Sequence, residues 1–561
     1  MSNQIKLLFH NFNVFSKSII TFSIFLFFPL LNSRLDPDMH HDGIMYTAAL
    51  SASNSMVPNR DFFAQYGFGT PFIQGLWMQF TSDSLLSLRV FTAIQLAIAA
   101  QILYYISKKF LPPLIAFLIA FAWIIQLSAR IPWASIFVTI FSLLAIVLLL
   151  DINFPQSLMT SNRFRLIASG FTMAVACTFR LQALSLIIAV SVAIIFFQKR
   201  RKNLLFIWIG FSIFMSTFIT YLLFKSALAP LVQQSITWPS SFYEPPVLSK
   251  SFITDLLWYP LIFLFITCGV RMSIYLTKSL DSKRGKLTAA LSTLLLALLG
   301  ISILRQDRIG YLGFQYPKVI LIDLTSHLAG FLGYWSAVMI PVLTLVLLVG
   351  CMQRTKNPIN GTTKYVFLLL SGLSVLPQLY PLHDQVHLWY ITPMLVVGCL
   401  PFVSKFLSVH NGSKLWVSVL LIVSSTLSTF VVFRDFQKPR LEYTNIAMQG
   451  LLGLPKDVLK IDQEMKFLED YSTTQLIGFD CQDGMYAGAG KRYSSNDPMF
   501  VNWGPERNYA ILDSLSIFGC KKNEEQLQRY LSNGFDLEKI WYDSEGLFDF
   551  MLTRKTLEKK S

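Results

Sequence analysis

The sequence predicts an all-α polytopic membrane domain of about thirteen transmembrane helices, followed by a small extramembrane α/β domain. Three observations lead to this prediction. Of the 561 residues, 53% are hydrophobic and only 14% are charged, whereas soluble domains carry roughly 25% charged residues. The mean hydropathy is +0.51. The apolar residues also come in blocks long enough to cross a hydrocarbon core, which takes about 20 residues of helix.

The predicted spans follow one another through residues 1–433, which form the membrane domain. We place them by block length and low internal charge. The first block is interpreted as a retained anchor because it lacks a small-residue cleavage site and a membrane domain follows it. The spans are 17–33, 85–106, 111–128, 132–150, 164–179, 181–197, 204–224, 252–276, 287–304, 331–352, 364–380, 388–404 and 414–433.

Positive charge orients these spans. Lys6 and Lys17 precede the first span, and basic runs such as Lys199–Lys202 recur in alternate loops, so the N-terminus is expected in the cytoplasm. This alternation of basic loops, together with the odd number of spans, places the first external loop, 34–84, and the tail, 434–561, on the extracytoplasmic side of the plasma (inner) membrane. The net charge of +15 then reflects cytoplasmic loops and anionic lipid headgroups, and it gives no reason to expect nucleic acid.

The tail, 434–561, is predicted to be a separate external domain because the long apolar blocks stop there and charge rises. Lys456–Tyr471 has apolar residues at helical spacing, whereas Gln475–Phe479 and Lys539–Tyr542 have the composition of strands. Cys481 and Cys520 are candidates for a disulfide in this oxidising compartment.

The start of the first external loop concentrates carboxylates and imidazoles directly after the first span. Such groups close to a bilayer are costly unless they bind something. A carboxylate can take a proton from a hydroxyl, Asp and His together can hold a divalent metal, or the cluster can be a hydrated loop. The residues are Asp36, Asp38, His40, His41 and Asp42.

The rest of the loop favours a functional interpretation. Residues 44–54 alternate with helical spacing, which predicts a short helix along the membrane surface. Arg60 and Asp61 follow, flanked by aromatic residues, as is typical of an interfacial recognition surface.

The loop as a whole resembles the first loop of the GT-C glycosyltransferases, the membrane enzymes that use polyprenyl-phosphate sugars and include protein mannosyltransferases and aminoarabinose transferases. The similarity covers about the first 90 residues, and the span plan with an external C-terminal domain extends it. The matching residues are Asp42-Gly43, Pro58, Arg60-Asp61-Phe62-Phe63, Gln65-Tyr66-Gly67, Thr70-Pro71 and Arg89. The departures are Gly43 where many members have Glu, Asn59 where Tyr is usual and Phe68 where Pro is usual.

A second patch supports the resemblance. Between the eleventh and twelfth spans, Asp384, His387, Leu388 and Pro393 match a family stretch in which an Asp and a His precede a Pro-containing helix. His383 adjoins this patch, which is expected on the same external side as the first loop. The alternative interpretation is a polar helix cap.

The resemblance implies a hexosyl- or pentosyltransferase that moves a sugar from a polyprenyl-phosphate donor to a glycan, lipid or protein acceptor, surrounded by membrane lipids. Asp42 is then the catalytic base, with Asp36 and His41 as further catalytic candidates. A divalent cation, Mg or Mn, is the candidate cofactor, with Asp38 and His40 as its ligands. Arg89 has the alternative role of an ion-pair partner of the first loop. The candidates for binding substrate or lipid phosphate are Arg60, Asp61, Arg89, Arg180, Arg305, Arg308, His383, Asp384 and His387.

Three other functions compete with this one. A transporter or flippase for a lipid-linked sugar would more often show internal repeats and broken helices at mid-membrane, and we find no convincing repeat. A polysaccharide polymerase or ligase usually carries its large catalytic loop late in the chain. A non-catalytic assembly protein would use its tail to bind a partner.

Overall fold

The computed structural model describes most of the first 237 residues and several segments of the remainder. These residues are 3–38, 41–64, 66–125, 131–150, 160–197, 202–237, 360–379, 385–409, single positions between 414 and 433, 436–470, 477–480, 516–522, 524–532, 535–542 and 548–554. The predicted spans 252–276, 287–304 and 331–352 and the residue Cys481 lie outside them.

The membrane part consists of helices whose positions agree with the predicted apolar blocks. They are α1 (Asn3–Ser33), α2 (His41–Ser53), α3 (Gly69–Phe80), α4 (Leu85–Ser107), α5 (Pro113–Ile124), α6 (Ala134–Leu150), α7 (Thr160–Phe179), α8 (Leu184–Phe197), α9 (Lys202–Phe224), α10 (Leu228–Val232), α11 (Asn360–Leu373) and α12 (Gln385–Val409). The described positions between 414 and 436 are helical as well.

Three of the described helices are long and apolar enough to cross a membrane: the Ser16–Ser33 part of α1, together with α4 and α9. Shorter apolar stretches lie in α5, α6, α8, α11 and α12. These helices give the all-α membrane domain that the sequence predicts. The total of thirteen spans and their orientation stay predictions.

Local sequence explains several helix ends. Ser84 has an extended backbone, and its hydroxyl accepts a hydrogen bond from the Ser87 N–H, so it caps the start of α4. Pro113 begins α5, where a missing N–H costs nothing. Arg180, also extended, separates α7 from the short 3-10 turn Leu181–Ala183 that leads into α8.

Glycines allow two helix pairs of the membrane part to pack backbone against backbone. A Cβ added at Gly170 of α7 would overlap the Ile207 carbonyl oxygen, and one at Gly210 of α9 would overlap the Ile167 carbonyl oxygen. Gly372 of α11 and Gly398 of α12 face each other, and a Cβ added at Gly372 would meet the Gly398 Cα at 2.8 Å. Close approach through small residues is a common way for membrane helices to associate.

The first external loop contains more structure than the sequence indicated. The short helix predicted at 44–54 is observed as α2, and a second helix, α3, follows it and packs against it. Gly75 makes this approach possible, since a Cβ there would meet Ala52. Most of α2 is buried, including Asp42, Met45 and Tyr46.

The tail begins with two short strands, β1 (Leu441–Glu442) and β2 (Leu452–Gly453), which pair antiparallel. Helix α13 (Pro455–Asp470) lies where the helix 456–471 is predicted. The remaining elements are β3 (Ile477–Asp480), β4 (Ser516–Lys522), α14 (Glu524–Ser532), β5 (Phe535–Tyr542) and β6 (Phe548–Arg554). The four strands form a mixed sheet of order β3-β4-β6-β5, and α14 lies between β4 and β5 in the chain.

Candidate active site

A buried arginine organises the start of the first external loop. Arg89, in the first turns of α4, donates to the carbonyl oxygens of Ser33 at 3.0 Å and Leu35 at 2.8 Å. Its Nη2 lies 3.2 Å from Oδ2 of Asp42, and the two side chains are 1% and 0% exposed. One guanidinium therefore joins the end of α1 to the start of α2. This is the arrangement expected of an ion-pair partner of the loop.

Asp42 occupies the first turn of α2, where a carboxylate interacts favourably with the helix dipole. Its Oδ2 also accepts a hydrogen bond from the Asp38 N–H at 2.8 Å. Burial raises the pKa of Asp42, and Arg89 opposes this shift. Within the described part of the chain, the other oxygen, Oδ1, is buried and has no hydrogen-bond partner.

Asp38 and His41 form a second pair beside the first, and this one is accessible. The Asp38 carboxylate accepts from the His41 backbone N–H at 2.9 Å, and its Oδ2 lies 2.8 Å from Nδ1 of the imidazole. The two side chains are 40% and 39% exposed. They are the acid–base groups of the loop that an incoming molecule reaches without displacing α2.

An aromatic row connects this accessible pair to a buried cation. The His41 ring lies 5.1 Å from that of Trp133, and Trp133 lies 5.0 Å from Tyr66. The Arg180 guanidinium sits over the Tyr66 ring at 5.2 Å and donates to the Ser135 hydroxyl at 2.6 Å. Arg180 is buried.

Helix α12 begins next to this row. The indole N–H groups of Trp123 and Trp389 each donate to the other's carbonyl oxygen at 2.9 Å, and the rings stack at 4.9 Å. The Tyr390 hydroxyl donates to the Ile131 carbonyl at 3.0 Å, close in sequence to Trp133. His387 lies in the first turn of α12.

Arg60 and Asp61 bind each other. Nε and Nη2 of Arg60 donate to Oδ1 and Oδ2 of Asp61 at 2.7 and 2.8 Å. The hydrogen bond from Arg60 lowers the pKa of Asp61. Asp61 also accepts from the Val57 N–H at 2.7 Å, and Nη1 of Arg60 donates to the Lys225 carbonyl at 3.2 Å. Arg60 is on the surface, but its fork is occupied by this carboxylate.

Asp36 is held from the tail. Nη2 of Arg440 lies 2.8 Å from Oδ2 of Asp36, although the two residues are 404 positions apart. The Asp36 N–H donates to the Leu452 carbonyl, and the Leu452 N–H donates to the Arg34 carbonyl, both at 2.7 Å. The start of the external loop thus pairs with β2 of the tail.

The described residues do not form a metal site. In the ranges that the structure covers, no three His, Cys, Asp or Glu side chains come together as a possible set of metal ligands. The carboxylate of Asp38 is turned to His41, and His40 lies outside the described residues.

The structure thus brings Asp36, Asp38, His41, Asp42 and Arg89 together, with Arg180 at the far end of the aromatic row. Sequence reasoning missed Trp133 and Arg440, which no motif marks. The predicted residues His40, Arg305, Arg308, His383 and Asp384 lie outside the described part of the chain.

The described helices and the first loop, which Arg89 joins to α1, form a helical membrane part whose fold is shared with solved structures. No protein-family model and no curated protein matches the sequence. Solved structures do. The oligosaccharyltransferase of Archaeoglobus fulgidus, in complex with Zn and sulfate, matches with a TM-score of 0.50 at 11% identity, over 95% of this chain and 72% of that chain.

Two further structures match. The archaeal oligosaccharyltransferase AglB from Archaeoglobus fulgidus, in complex with an inhibitory peptide and a dolichol-phosphate, has a TM-score of 0.50 at 12% identity, over 97% of this chain and 74% of that chain. ArnT from Cupriavidus metallidurans, bound to undecaprenyl phosphate, has a TM-score of 0.40 at 9% identity, over 98% of each chain. At these identities the likeness to the oligosaccharyltransferases establishes a shared fold.

Proposed function

We propose that this chain is a glycosyltransferase that moves a sugar from a polyprenyl-phosphate donor to an acceptor hydroxyl on the extracytoplasmic side of the membrane. The observation that carries the proposal is the acidic first loop, where the accessible pair Asp38–His41 lies one aromatic row away from the buried cation Arg180. A protein of the same fold was solved with a dolichol-phosphate and an inhibitory peptide, which supports a lipid phosphate and an acceptor as the two ligands.

The reaction breaks one bond and forms another. The acceptor oxygen attacks the anomeric carbon of the sugar, and the bond between that carbon and the phosphate oxygen breaks. The acceptor proton passes to a base on the protein, and the electron pair leaves with the polyprenyl phosphate. The protein must therefore supply a proton acceptor and positive charge for the departing phosphate.

The choice of base follows from exposure. The resemblance to the glycosyltransferases implies Asp42 as the base, but its carboxylate is buried against Arg89. An acceptor that enters the loop meets Asp38 and His41 first. We propose that this accessible pair takes the proton and that Asp42 holds Arg89 in place. The variants below distinguish this assignment from the alternative in which Asp42 is the base.

Arg180 is the best-placed candidate among the described cations for binding the phosphate. Arg180 is buried at the end of the aromatic row that begins at His41, and its planar fork matches two phosphate oxygens. Arg60 would first have to release Asp61, and Arg89 is occupied by the loop. Arg305 and Arg308 stay candidates from the sequence alone.

One observation supports a shared compartment for the loop and the tail. The hydrogen bonds between Leu452 and the residues Arg34 and Asp36 require both segments to lie on the same side of the bilayer. The predicted positive-inside orientation makes that side extracytoplasmic. The proposal thus describes a plasma-membrane enzyme of glycan biosynthesis in the cell envelope.

The test uses the full chain in proteoliposomes with polyprenyl phosphate carrying a labelled sugar and a membrane extract as the source of acceptors. A general base contributes about 100-fold or more, so Asp38→Asn and His41→Gln should reduce transfer by about that factor. Asp83→Asn removes an exposed carboxylate of the same loop and should leave transfer unchanged.

Full activity of both variants at normal expression, with loss only in Asp42→Asn, would return the base role to Asp42. Movement of the labelled lipid across the bilayer by the wild type without any transfer would replace the enzyme by a flippase.

A further inference from the structure

Residues 440–453, which follow the last predicted span, contact the first external loop at three points. Arg440 binds the Asp36 carboxylate at 2.8 Å. Leu452 exchanges two backbone hydrogen bonds with Arg34 and Asp36 in a parallel bridge. Nε of Arg34 donates to the Gly450 carbonyl at 3.0 Å. We call the segment 440–453 the clasp.

Asp36, which the clasp contacts, has an unusual backbone conformation. Asp36 has a φ of +38°, in the left-handed region that few residues other than glycine occupy, although Asp and Asn tolerate it best. Such a conformation persists only where surrounding contacts hold it. Here the contacts come from Arg440 and Leu452 of the clasp, and from Arg89, whose Nη2 lies 3.4 Å from the Asp36 carbonyl.

Apolar packing fixes the clasp to the loop. Met45, Tyr46 and Ala49 of α2 share one buried cluster with residues of the clasp and of α13. The residues contributed from the tail side are Tyr443, Ala447, Met448, Leu451, Val458, Ile461, Met465 and Trp541. Tyr443 is close enough to Asp36 and Arg89 for their charges to act on its hydroxyl.

From these contacts we propose that Arg440 is a positioning residue of the active site and that the clasp completes the acidic loop. Arg440 holds the Asp36 carboxylate, Asp36 fixes the turn, and the turn leads after Pro37 to Asp38, whose carboxylate orients His41. The link to transfer rests on the proposed function. The link between Arg440 and the loop geometry does not.

The experiment compares Arg440→Gln, Arg440→Lys, Asp36→Asn and the double variant in the full chain. Asp36→Asn removes the charge and keeps a residue that tolerates positive φ. Lys456→Gln, which removes an exposed lysine from the same tail, is the matched control. The readouts are hydrogen exchange of peptides covering residues 34–38 in nanodiscs, and kcat and KM for the labelled donor.

A lost charge-assisted hydrogen bond corresponds to about a tenfold change. Arg440→Gln should therefore speed exchange at residues 34–38 and lower kcat, each about tenfold, with KM for the donor changed less than about twofold. Arg440→Lys should recover part of both effects. In the double variant, kcat should be no lower and exchange no faster than in the more affected single variant, because either substitution alone already removes the contact between Arg440 and Asp36. Lys456→Gln should match the wild type.

Three results would overturn the inference: unchanged exchange in Arg440→Gln, effects that multiply in the double variant, or a loss seen only in KM. If the wild type transfers no sugar, the proposed function fails. Exchange alone then decides whether Arg440 positions the loop.

Discussion

Arg89 and Asp42 form an ion pair that is shielded from solvent, with Nη2 and Oδ2 separated by 3.2 Å. The same guanidinium binds the carbonyl oxygens at the end of α1. Removing one member of a buried pair leaves the other charge unpaired, which costs about 3–5 kcal/mol. The pair therefore acts as the structural centre of the loop.

Asp42→Asn should lower the unfolding midpoint in detergent by several degrees, because Arg89 loses its carboxylate. Arg89→Met should do the same, since it also releases the carbonyls of Ser33 and Leu35. The double variant should be more stable than Asp42→Asn, because no buried charge remains. Fluorescence-detected size exclusion after heating measures this. Equal stability of Asp42→Asn and wild type would show that the pair is dispensable.

Gly170→Ala and Gly210→Ala should each separate α7 from α9. The added methyl group would overlap a backbone carbonyl of the facing helix, which cannot move aside as a side chain can. Overpacking typically costs about 1–3 kcal/mol, and backbone contact places these sites at the upper end. The measurement is the heat stability of purified protein. Ile213→Ala, on the exposed face of α9, is the control and should change little.

Trp389→Phe should loosen the start of α12. It removes the indole N–H that binds the Trp123 carbonyl, and it leaves that buried oxygen unpaired at a cost of about 1–3 kcal/mol. Trp123→Phe should have the same effect on the Trp389 carbonyl. Trp208→Phe, at a partly exposed indole, should cost less. Similar melting temperatures for all three variants would contradict the role of the reciprocal bonds.

Asp61→Asn should release Arg60. Because Arg60 lowers the pKa of Asp61, the carboxylate stays ionised at neutral pH. The pair therefore contributes stability above the unfolded-state pKa of about 3.9 and loses it as the pH falls through the lower folded value. If Arg60 can bind lipid phosphate, the freed guanidinium should lower KM for the donor, and Arg60→Gln should raise it. No change in either variant would remove Arg60 from the phosphate candidates.

Much of the membrane part could be predicted because burial in lipid requires long apolar helices, and charge marks where they end. The helices α4 to α9 lie within a few residues of their predicted blocks. Helix α3 was missed because residues 69–80 are short for a span and begin with Gly-Thr-Pro, which suggests a turn. The observed burial of α2 depends on contacts with the tail. The sequence of residues 41–53 contains no pattern that predicts these contacts.

The acidic loop was recognisable because carboxylates and imidazoles are unusual next to an apolar span. Its internal pairing was not, since Asp38 and Asp42 look alike in sequence and only the contact with Arg89 makes one buried and the other accessible. Arg440 and Trp133 reach the loop through tertiary packing, across sequence separations that carry no periodic signal.

The bond from Arg34 to Gly450 joins positions 416 residues apart. During synthesis the first external loop leaves the ribosome long before its partner exists. The loop therefore gains these contacts only after residues 440–453 have been synthesised and have reached it. A product that ends before residue 440 keeps every residue of the acidic loop and still lacks the contacts that Arg440 and Leu452 make with it, so the loop is completed only after residues 440–453 have been synthesised.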